Sequence, residues 1–228
     1  MMNQLIRTTT KKYIKNISKQ IANKPRYFAS AEVGERPEPN VCDSLLQIGS
    51  RRIYSQEHDM YREMLRNFYD EKVVPFHEEW EDKGEVPREL WTDAGANSML
   101  GVTMPEEYGG LGVDILYSSV NWQEQSYAGT TGPGWALHSE IVCPYILNYG
   151  TDEQKQKYLP KFSTGEIIGS FALTEPDSGS DAMSITTSAK KVGNEYLING
   201  TKRYITNAPI AGVFSVMART NEEKSSSS

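Results

Sequence analysis

Residues 171–184 read FALTEPDSGSDAMS, and the sequence pattern changes here from helical to extended. Phe171, Ala172 and Leu173 complete a short apolar run that is typical of a buried strand. Pro176 removes a backbone donor, and five small or acidic residues follow it over 177–181. The pattern predicts a strand that ends in a tight loop. The hydroxyl and carboxylate groups of this loop could hold a ligand, or they could simply satisfy the turn.

The residues that follow the loop have the composition of further strands. Gly193-Asn194 separates two extended segments, and Asn199-Gly200 is the strongest two-residue hairpin signal in the chain. TKRYIT (201–206) and GVFSVMART (212–220) are predicted to be the next strands. We therefore expect residues 166–220 to form an antiparallel β domain and residues 221–228 to form a polar tail.

Residues 54–165, which precede the loop, are predicted to form a helical domain. Apolar residues recur at helical spacing after Ser55, which is a predicted N-cap. Pro75 is expected to kink or end this first helix, and Gly84 is a plausible stop for its continuation. A short helix is expected to follow Pro87.

Three more helices are predicted in the same domain. Residues 115–128 and 134–149 carry helical patterns, and the second of them has the wide apolar face of a buried helix. Thr151 and Gln154 form a T-x-x-Q capping box that opens another helix. The glycine-rich segment 106–114 has no GK[ST] sequence, so we interpret it as a tight connection between helices and not as a phosphate-binding loop.

The first 31 residues are basic and contain no acid. Hydroxyl residues and interleaved apolar residues accompany the seven lysines and arginines, as in a mitochondrial transit peptide that forms an amphipathic helix. A basic arm for nucleic acid is the alternative, but no basic patch follows it. We therefore predict a transit peptide over 1–31, a linker over 32–53, and a location in the mitochondrial matrix.

Composition excludes several classes of function. Without the seven basic residues of the leader, 17 of the 24 remain against 30 acidic residues, for a net charge of −13, so general binding to nucleic acid is not expected. No apolar run approaches the length of a membrane span. Cys42, Cys143 and the three isolated histidines show no metal-ligand spacing, so we expect no metal site.

The combination of helices, an antiparallel sheet and this loop resembles the acyl-CoA dehydrogenase family. The resemblance covers about Asp43 to Thr220 and depends on LTEPDSGSDA (173–182) with YITN (204–207) downstream. It is closest to the mitochondrial long-chain members in IGSRRIYSQEHDMYREMLRNFY (48–69), GEVPRELWTDAG (84–95) and TKRYITN (201–207). It implies an α+β fold: an N-terminal helical domain, then a truncated antiparallel β-barrel-like domain, without the family's C-terminal four-helix domain.

The resemblance implies FAD as the cofactor, held by two segments that we call the first and second flavin segments. The first is equivalent to the family segment that lines the isoalloxazine ring and the pyrophosphate, and the second to the family's aromatic-Ile-Thr/Ser triplet. The candidate cofactor-binding residues are Phe171, Ala172, Leu173, Thr174, Glu175, Pro176, Asp177, Ser178, Gly179 and Ser180 in the first segment, and Tyr204, Ile205 and Thr206 in the second.

The family assigns a role to some of these positions. Thr174 matches a threonine that bonds to the pyrimidine end of the flavin, and Gly179 allows close backbone approach. Ser180 matches a serine between the cofactor and the CoA portion of the substrate, so it is also a candidate substrate-binding residue. Tyr204 is expected to pack beside the flavin, and the Thr206 hydroxyl to reach N5. Asp177 departs from the family, where glycine is common.

The implied reaction is α,β-dehydrogenation of a long-chain fatty acyl-CoA, with electron-transferring flavoprotein as the acceptor. The family's catalytic base is a glutamate of the C-terminal domain, and neither Glu175 nor Glu124 matches it. We therefore assign no catalytic residue and expect the 228-residue chain alone to be inactive. Full-length members form homo-oligomers, but no state follows for this chain. The alternative is a non-catalytic module that binds flavin or partner subunits.

Overall fold

The computed structural model describes residues 53–220. The chain divides into two units, Met1–Met60 and Tyr61–Ser228. The predicted transit peptide, the polar tail and nearly all of the predicted linker lie outside the described residues. Among the residues that are described, no helix combines the length and the apolar character that crossing a bilayer requires.

Helix α1 (Gln56–Lys72) begins where the sequence predicts it. The carbonyl of Ser55 accepts the first intrahelical hydrogen bond, from the backbone N–H of Asp59 at 3.2 Å. The backbone N–H of Ser55 donates to Nδ1 of His58 at 3.0 Å, so His58 takes the part that Glu or Gln plays in a capping box. The prediction of Ser55 as the N-cap is confirmed.

The helical pattern breaks at Pro75, as predicted. A single 3₁₀ turn, Val74–Phe76, separates α1 from helix α2 (His77–Lys83). Gly84 then ends α2 in the left-handed conformation, with φ at 69°, and its N–H bonds to carbonyls of the last turn. Glycine adopts this conformation without a steric cost, so both predicted signals are confirmed.

The remaining predicted helices are also present. Thr151 and Gln154 form the expected reciprocal capping box, and segment 106–114 contains only one 3₁₀ turn, Glu106–Tyr108. Helix α5 is continuous but includes a π-helical turn at His138–Val142. The helices are α3 (Arg88–Ala96), α4 (Ile115–Tyr127), α5 (Trp135–Leu137, His138–Val142 and Cys143–Tyr149) and α6 (Asp152–Ser163).

The apolar face predicted for α5 is buried only in part. Val142 and Cys143 are fully buried, whereas Ile141, Tyr145 and Tyr149 are 39%, 38% and 81% exposed. The extra residue of the π turn shifts the helix face that meets the core. The prediction of a wide buried face is therefore wrong for these three side chains.

A hydrophobic core cluster lies where α5 and α6 meet the first strand. Partly buried side chains of both helices and of the strands pack around this cluster, including Phe171 and Val213. His138 contacts the rings of Trp91 and Phe162 edge to face, with centroids 5.4 and 4.9 Å away. The buried members of the cluster are Met104, Tyr108, Val142, Cys143, Leu159 and Phe162.

Four strands follow the helices: β1 (Gly169–Ala172), β2 (Ser188–Val192), β3 (Glu195–Asn199) and β4 (Val213–Val216). β2 and β3 form an antiparallel hairpin around Gly193-Asn194, with Val192 opposite Glu195, so this predicted turn is confirmed. β1 pairs with β4 in parallel, with Gly169 opposite Val213. The expectation of an antiparallel barrel-like domain is not confirmed, because the described residues form two two-stranded sheets and no closed barrel.

The prediction of a hairpin at Asn199-Gly200 is wrong. Residues 201–206 are not a strand, although 212–220 contains β4 as expected. Lys202 and Arg203 bond to the loop after β1 instead of to a neighbouring strand, and Tyr204 takes a left-handed φ of 58°. A single left-handed residue ends an extended run.

Candidate functional site

The structure brings the two flavin segments together. The backbone N–H of Arg203 donates to the carbonyl of Thr174 at 2.8 Å. The hydroxyl of Ser170 donates to the carbonyl of Thr206 at 2.6 Å. Two segments that lie about 30 residues apart in the sequence therefore form one continuous surface beside β1.

Glu175 is a buried carboxylate within this surface, with 4% of its area exposed. Its Oε1 lies 2.9 Å from Lys202 Nζ and accepts from the Thr187 N–H, while Oε2 accepts from the N–H and the hydroxyl of Thr186 at 2.6 and 2.8 Å. Burial by itself opposes ionisation, but the hydrogen bonds from Lys202, Thr186 and Thr187 outweigh it and hold the pKa of Glu175 far below its usual range. Glu175 is therefore an anion whose two oxygens are bonded to other residues of the protein.

The loop after Glu175 has a closed inner side and an open outer side. Glu175 and Ser178 exchange backbone hydrogen bonds at 2.8 and 3.3 Å, and the Ser178 hydroxyl donates to the carbonyl of Asp181. The Ser178 hydroxyl therefore satisfies the turn. Pro176, Asp177, Gly179 and Ser180 are exposed.

Three hydroxyl groups of the candidate residues remain without a protein partner. Within residues 53–220, the side chains of Thr174, Ser180 and Thr206 form no hydrogen bond, and Ser180 and Thr206 are exposed. A Cβ added to Gly179 would meet no atom within 4 Å, so the space next to this glycine is open. These groups are free to bind a ligand.

The second flavin segment has an unusual backbone. Tyr204, at φ 58°, is 77% exposed, and the Arg203 guanidinium lies 4.4 Å from the centre of its ring. Asn207, at φ 65°, donates its side-chain amide to the carbonyls of Gly134 and Gly169 at 3.1 and 3.2 Å. Non-glycine residues at positive φ are uncommon and cluster at functional sites. Asn207 therefore anchors a strained segment that presents an aromatic ring to solvent.

The start of α5 approaches this segment closely. A Cβ on Gly134 would lie 2.3 Å from Oδ1 of Asn207 and 2.7 Å from Cγ2 of Thr206, so a larger residue there would displace both side chains. The sequence reasoning did not single out Gly134, Asn207, Lys202 or Thr186. Asn207 and Lys202 lie inside the matched segment TKRYITN, which was the one available signal for them.

The groups on this surface fit a flavin. A flavin offers a flat ring with donors and acceptors along one edge, and the surface offers free hydroxyls, an open glycine and an exposed aromatic ring. Phe171, Ala172 and Leu173 form the strand and its end, and Ile205 is half-buried, so these four residues support the surface from within. Glu175 does not fit a contact role, because both of its oxygens are used by the protein.

The other buried carboxylate, Glu124, lies in the helical part of the chain. It is 2% exposed, and its oxygens are 2.9 Å from Arg62 Nη1 and from Arg66 Nε. These two ion pairs join α1 to α4. Glu124 and Glu175 are thus both buried and both paired with cationic side chains of the protein.

Known proteins resemble the chain along both of its predicted domains. The model of the acyl-CoA dehydrogenase N-terminal domain matches residues 55–166, and that of the acyl-CoA dehydrogenase middle domain matches residues 170–228. The mitochondrial long-chain specific acyl-CoA dehydrogenase of Rattus norvegicus is 48% identical over 188 residues, which are 82% of this chain and 44% of the rat protein.

Solved structures agree with this result. The acyl-CoA dehydrogenase from Geobacillus kaustophilus has a TM-score of 0.74 and 42% identity, over 77% of this chain and 47% of that one. An acyl-CoA dehydrogenase from Bacillus anthracis, complexed with FAD, has a TM-score of 0.65 and 36% identity, over 75% of this chain and 30% of that one. The chain thus spans less than half the length of each of these relatives.

Proposed function

The chain belongs to the acyl-CoA dehydrogenase family, and from this we propose that it forms part of the FAD site of an enzyme that dehydrogenates fatty acyl-CoA between the α and β carbons. The observation that carries the proposal is the direct bonding between the two flavin segments, through Arg203 to Thr174 and through Ser170 to Thr206. The structure of a relative in complex with FAD supports the choice of cofactor.

Each free group on the surface has a proposed task. The hydroxyls of Thr174 and Thr206 would bond to the ring of the flavin, Gly179 would let the backbone approach the cofactor, and Ser180 would lie between the cofactor and CoA. The exposed ring of Tyr204 would pack against the flavin. When bound, FAD supplies the acceptor for the hydride that leaves the β-carbon.

We assign no catalytic base to the described residues. The base must take the α-proton and then hold it, so its carboxylate needs a pKa near the working pH. Glu175 has a pKa far below that range, and both Glu175 and Glu124 are buried and paired with cationic side chains at 2.9 Å, so neither carboxylate lies open to a substrate. We therefore keep the prediction that the 228-residue chain does not turn over palmitoyl-CoA with an artificial electron acceptor.

The proposal includes a location and two partners. The basic, acid-free segment 1–31 and the mitochondrial long-chain relative support a mitochondrial enzyme of long-chain acyl-CoA, and we propose the matrix as its compartment. By family resemblance, electron-transferring flavoprotein would take the electrons, and subunits would assemble into a homo-oligomer.

FAD titration of the purified chain tests the cofactor. Thr174→Val and Thr206→Val each remove one hydroxyl with little change in shape, so each should weaken FAD binding by about 2- to 13-fold, the equivalent of one hydrogen bond. Thr92→Val is the matched control, because the Thr92 hydroxyl bonds only to the carbonyl of Glu89 within α3. Gly179→Ala should leave the fold intact, since the added Cβ meets no protein atom, but should still weaken FAD binding.

Two results would contradict the proposal. One is a wild-type chain that binds no FAD. The other is an unchanged FAD affinity in both threonine variants and in Gly179→Ala, which would return the loop to the interpretation of a satisfied turn.

A further inference from the structure

Glu175 and Lys202 meet at a buried point between the two flavin segments. Their side chains are 3% and 11% exposed, and the charged atoms are 2.9 Å apart. Glu175 directly follows Thr174, and Lys202 directly precedes Arg203. The ion pair therefore lies next to the backbone hydrogen bond from Arg203 to Thr174 that joins the segments.

The carboxylate of the pair is bonded so fully that it has no acceptor site left for a ligand. The two Glu175 oxygens receive four hydrogen bonds, from Thr186, Thr187 and Lys202. Lys202 also donates to the carbonyl of Leu173 at 2.8 Å. Three consecutive residues of the first segment, 173–175, are thus bonded to two consecutive residues before the second, 202 and 203.

We propose that the Glu175–Lys202 ion pair is a positioning device that sets the spacing and the orientation of the two flavin segments without touching the flavin. The inference depends on the proposed FAD site. It replaces the contact role that the sequence analysis gave to Glu175.

The strain in the second segment explains why the pair is needed. Tyr204 lies two residues after Lys202 and has φ at 58°, a conformation that persists only when the surrounding structure holds it. Asn207, which follows the segment, holds its C-terminal end through hydrogen bonds to the carbonyls of Gly134 and Gly169. The ion pair holds the residues before Tyr204, so the backbone that carries the Tyr204 ring is fixed on both sides of it.

An ion pair suits this task better than a neutral contact. The N–H groups of Thr186 and Thr187 point at the carboxylate and bring a third piece of chain to the same point. If either charge is removed, the other is left buried without its counter-charge, and the segments must move to let water reach it. Loss of either partner should therefore displace both segments.

Four variants test the positioning role: Glu175→Gln, Lys202→Met, the double variant and Lys202→Arg. The readouts are the FAD dissociation constant, the visible absorption spectrum of bound flavin and the melting temperature of the FAD-free protein. The first two variants should raise the dissociation constant about tenfold and shift the flavin spectrum, the double variant should be no worse than the worse single one, and Lys202→Arg should restore most of the binding.

Glu124→Gln is the matched control. Glu124 is a carboxylate of equal burial whose partner Arg62 is also at 2.9 Å, but it lies in the helical part of the chain. This variant should lower the melting temperature at least as much as Glu175→Gln does. It should leave the FAD dissociation constant within about twofold of the wild-type value.

Hydrogen exchange of the FAD-free chain separates this inference from the proposed function. The amide of Arg203, which donates to Thr174, should exchange faster in Lys202→Met than in the wild type. If the Arg203 amide exchanges faster in Lys202→Met but the wild type binds no FAD, the proposed function is wrong and the ion pair is only a structural link. An unchanged flavin spectrum and affinity in folded Glu175→Gln and Lys202→Met, or an equal loss in Glu124→Gln, would overturn the positioning role.

Discussion

The buried imidazole of His138 should make the folded state sensitive to acid. Its Nε2 donates to the carbonyl of Phe162 at 3.1 Å, and its Nδ1 accepts from the N–H of Gly169 at 2.9 Å. The ring is therefore neutral, with its proton on Nε2. Burial lowers the pKa of His138 from 6.5 to about 4; the hydrogen bond to Phe162 opposes this shift, and the charge of Arg88 adds to it.

The direction of the pH effect follows from the lowered pKa. The unfolded chain binds a proton on this ring below pH 6.5, whereas the folded chain binds it only near pH 4, so stability is lost as the pH falls between these values. Each unit of pKa difference corresponds to about 1.4 kcal/mol, so the shift amounts to about 3 kcal/mol in full. Protonation would also set a proton on Nδ1 against the N–H of Gly169 and loosen the start of β1.

Urea unfolding at about pH 7 and about pH 4.5 measures this effect. Carboxylates titrate in the same pH range, so we compare the loss of unfolding free energy in the wild type with the loss in His138→Gln. The glutamine amide does not titrate, but it has a donor and an acceptor as the neutral imidazole does. The wild type should lose about 2 kcal/mol more than the variant. NMR titration of the imidazole gives an independent value. A His138 pKa near 6.5 in the folded protein, or an equal acid loss in both proteins, would refute the reasoning.

Three further results are expected. Residues 1–40, fused to a fluorescent protein, should carry it into mitochondria, and a diffuse cytosolic signal would contradict the predicted transit peptide. In a Cys42→Ser background, Cys143 should react with a thiol reagent only when the protein unfolds. Burial and the nearby charge of Glu140 raise the pKa of its thiol, which keeps it unreactive. Rapid labelling of the native protein would contradict this expectation and would show that α5 opens. Thr151→Ala should lower the free energy of unfolding by about 1 kcal/mol through loss of the α6 cap, and an unchanged urea midpoint would mean that this cap contributes nothing.

The helical half could be predicted because its signals are local. Ser55, Pro75, Gly84 and the Thr151 capping box each act within one or two turns, and each ends or begins a helix where the sequence indicates. The burial of α5 was harder to predict. A π turn at His138–Val142 changes the rotation of the helix, and no residue pattern signals it.

The sheet could be predicted only where its pairing is local. The hairpin at Gly193-Asn194 follows from its own residues, whereas the parallel pairing of β1 with β4 joins strands about 40 residues apart. The Asn199-Gly200 signal failed where Lys202 and Arg203 bond to residues 173–175 instead of to a neighbouring strand. Tertiary contacts therefore override the turn propensity.

The candidate site could be located from the sequence through its resemblance to a family, but its internal support could not. The first and second flavin segments do meet. Nothing local indicates that Glu175 faces Lys202, or that Gly134 lies against Asn207. Such contacts depend on the path of the chain between the segments, and side-chain chemistry alone does not predict that path.

The parallel pairing of β1 with β4 has a consequence for the order of folding. The chain between these strands contains Thr174, the second flavin segment and the β2–β3 hairpin, so pairing closes a loop of about 40 residues, at a conformational cost of about 3 kcal/mol plus a constant. The hairpin can form on its own within microseconds, before that closure. On the ribosome, Thr174 and Thr206 can both have emerged before β4 is available. Ser170, whose hydroxyl bonds to Thr206, belongs to β1, so we expect the shared surface to be completed only when β4 pairs with β1, after Val216 has been synthesised.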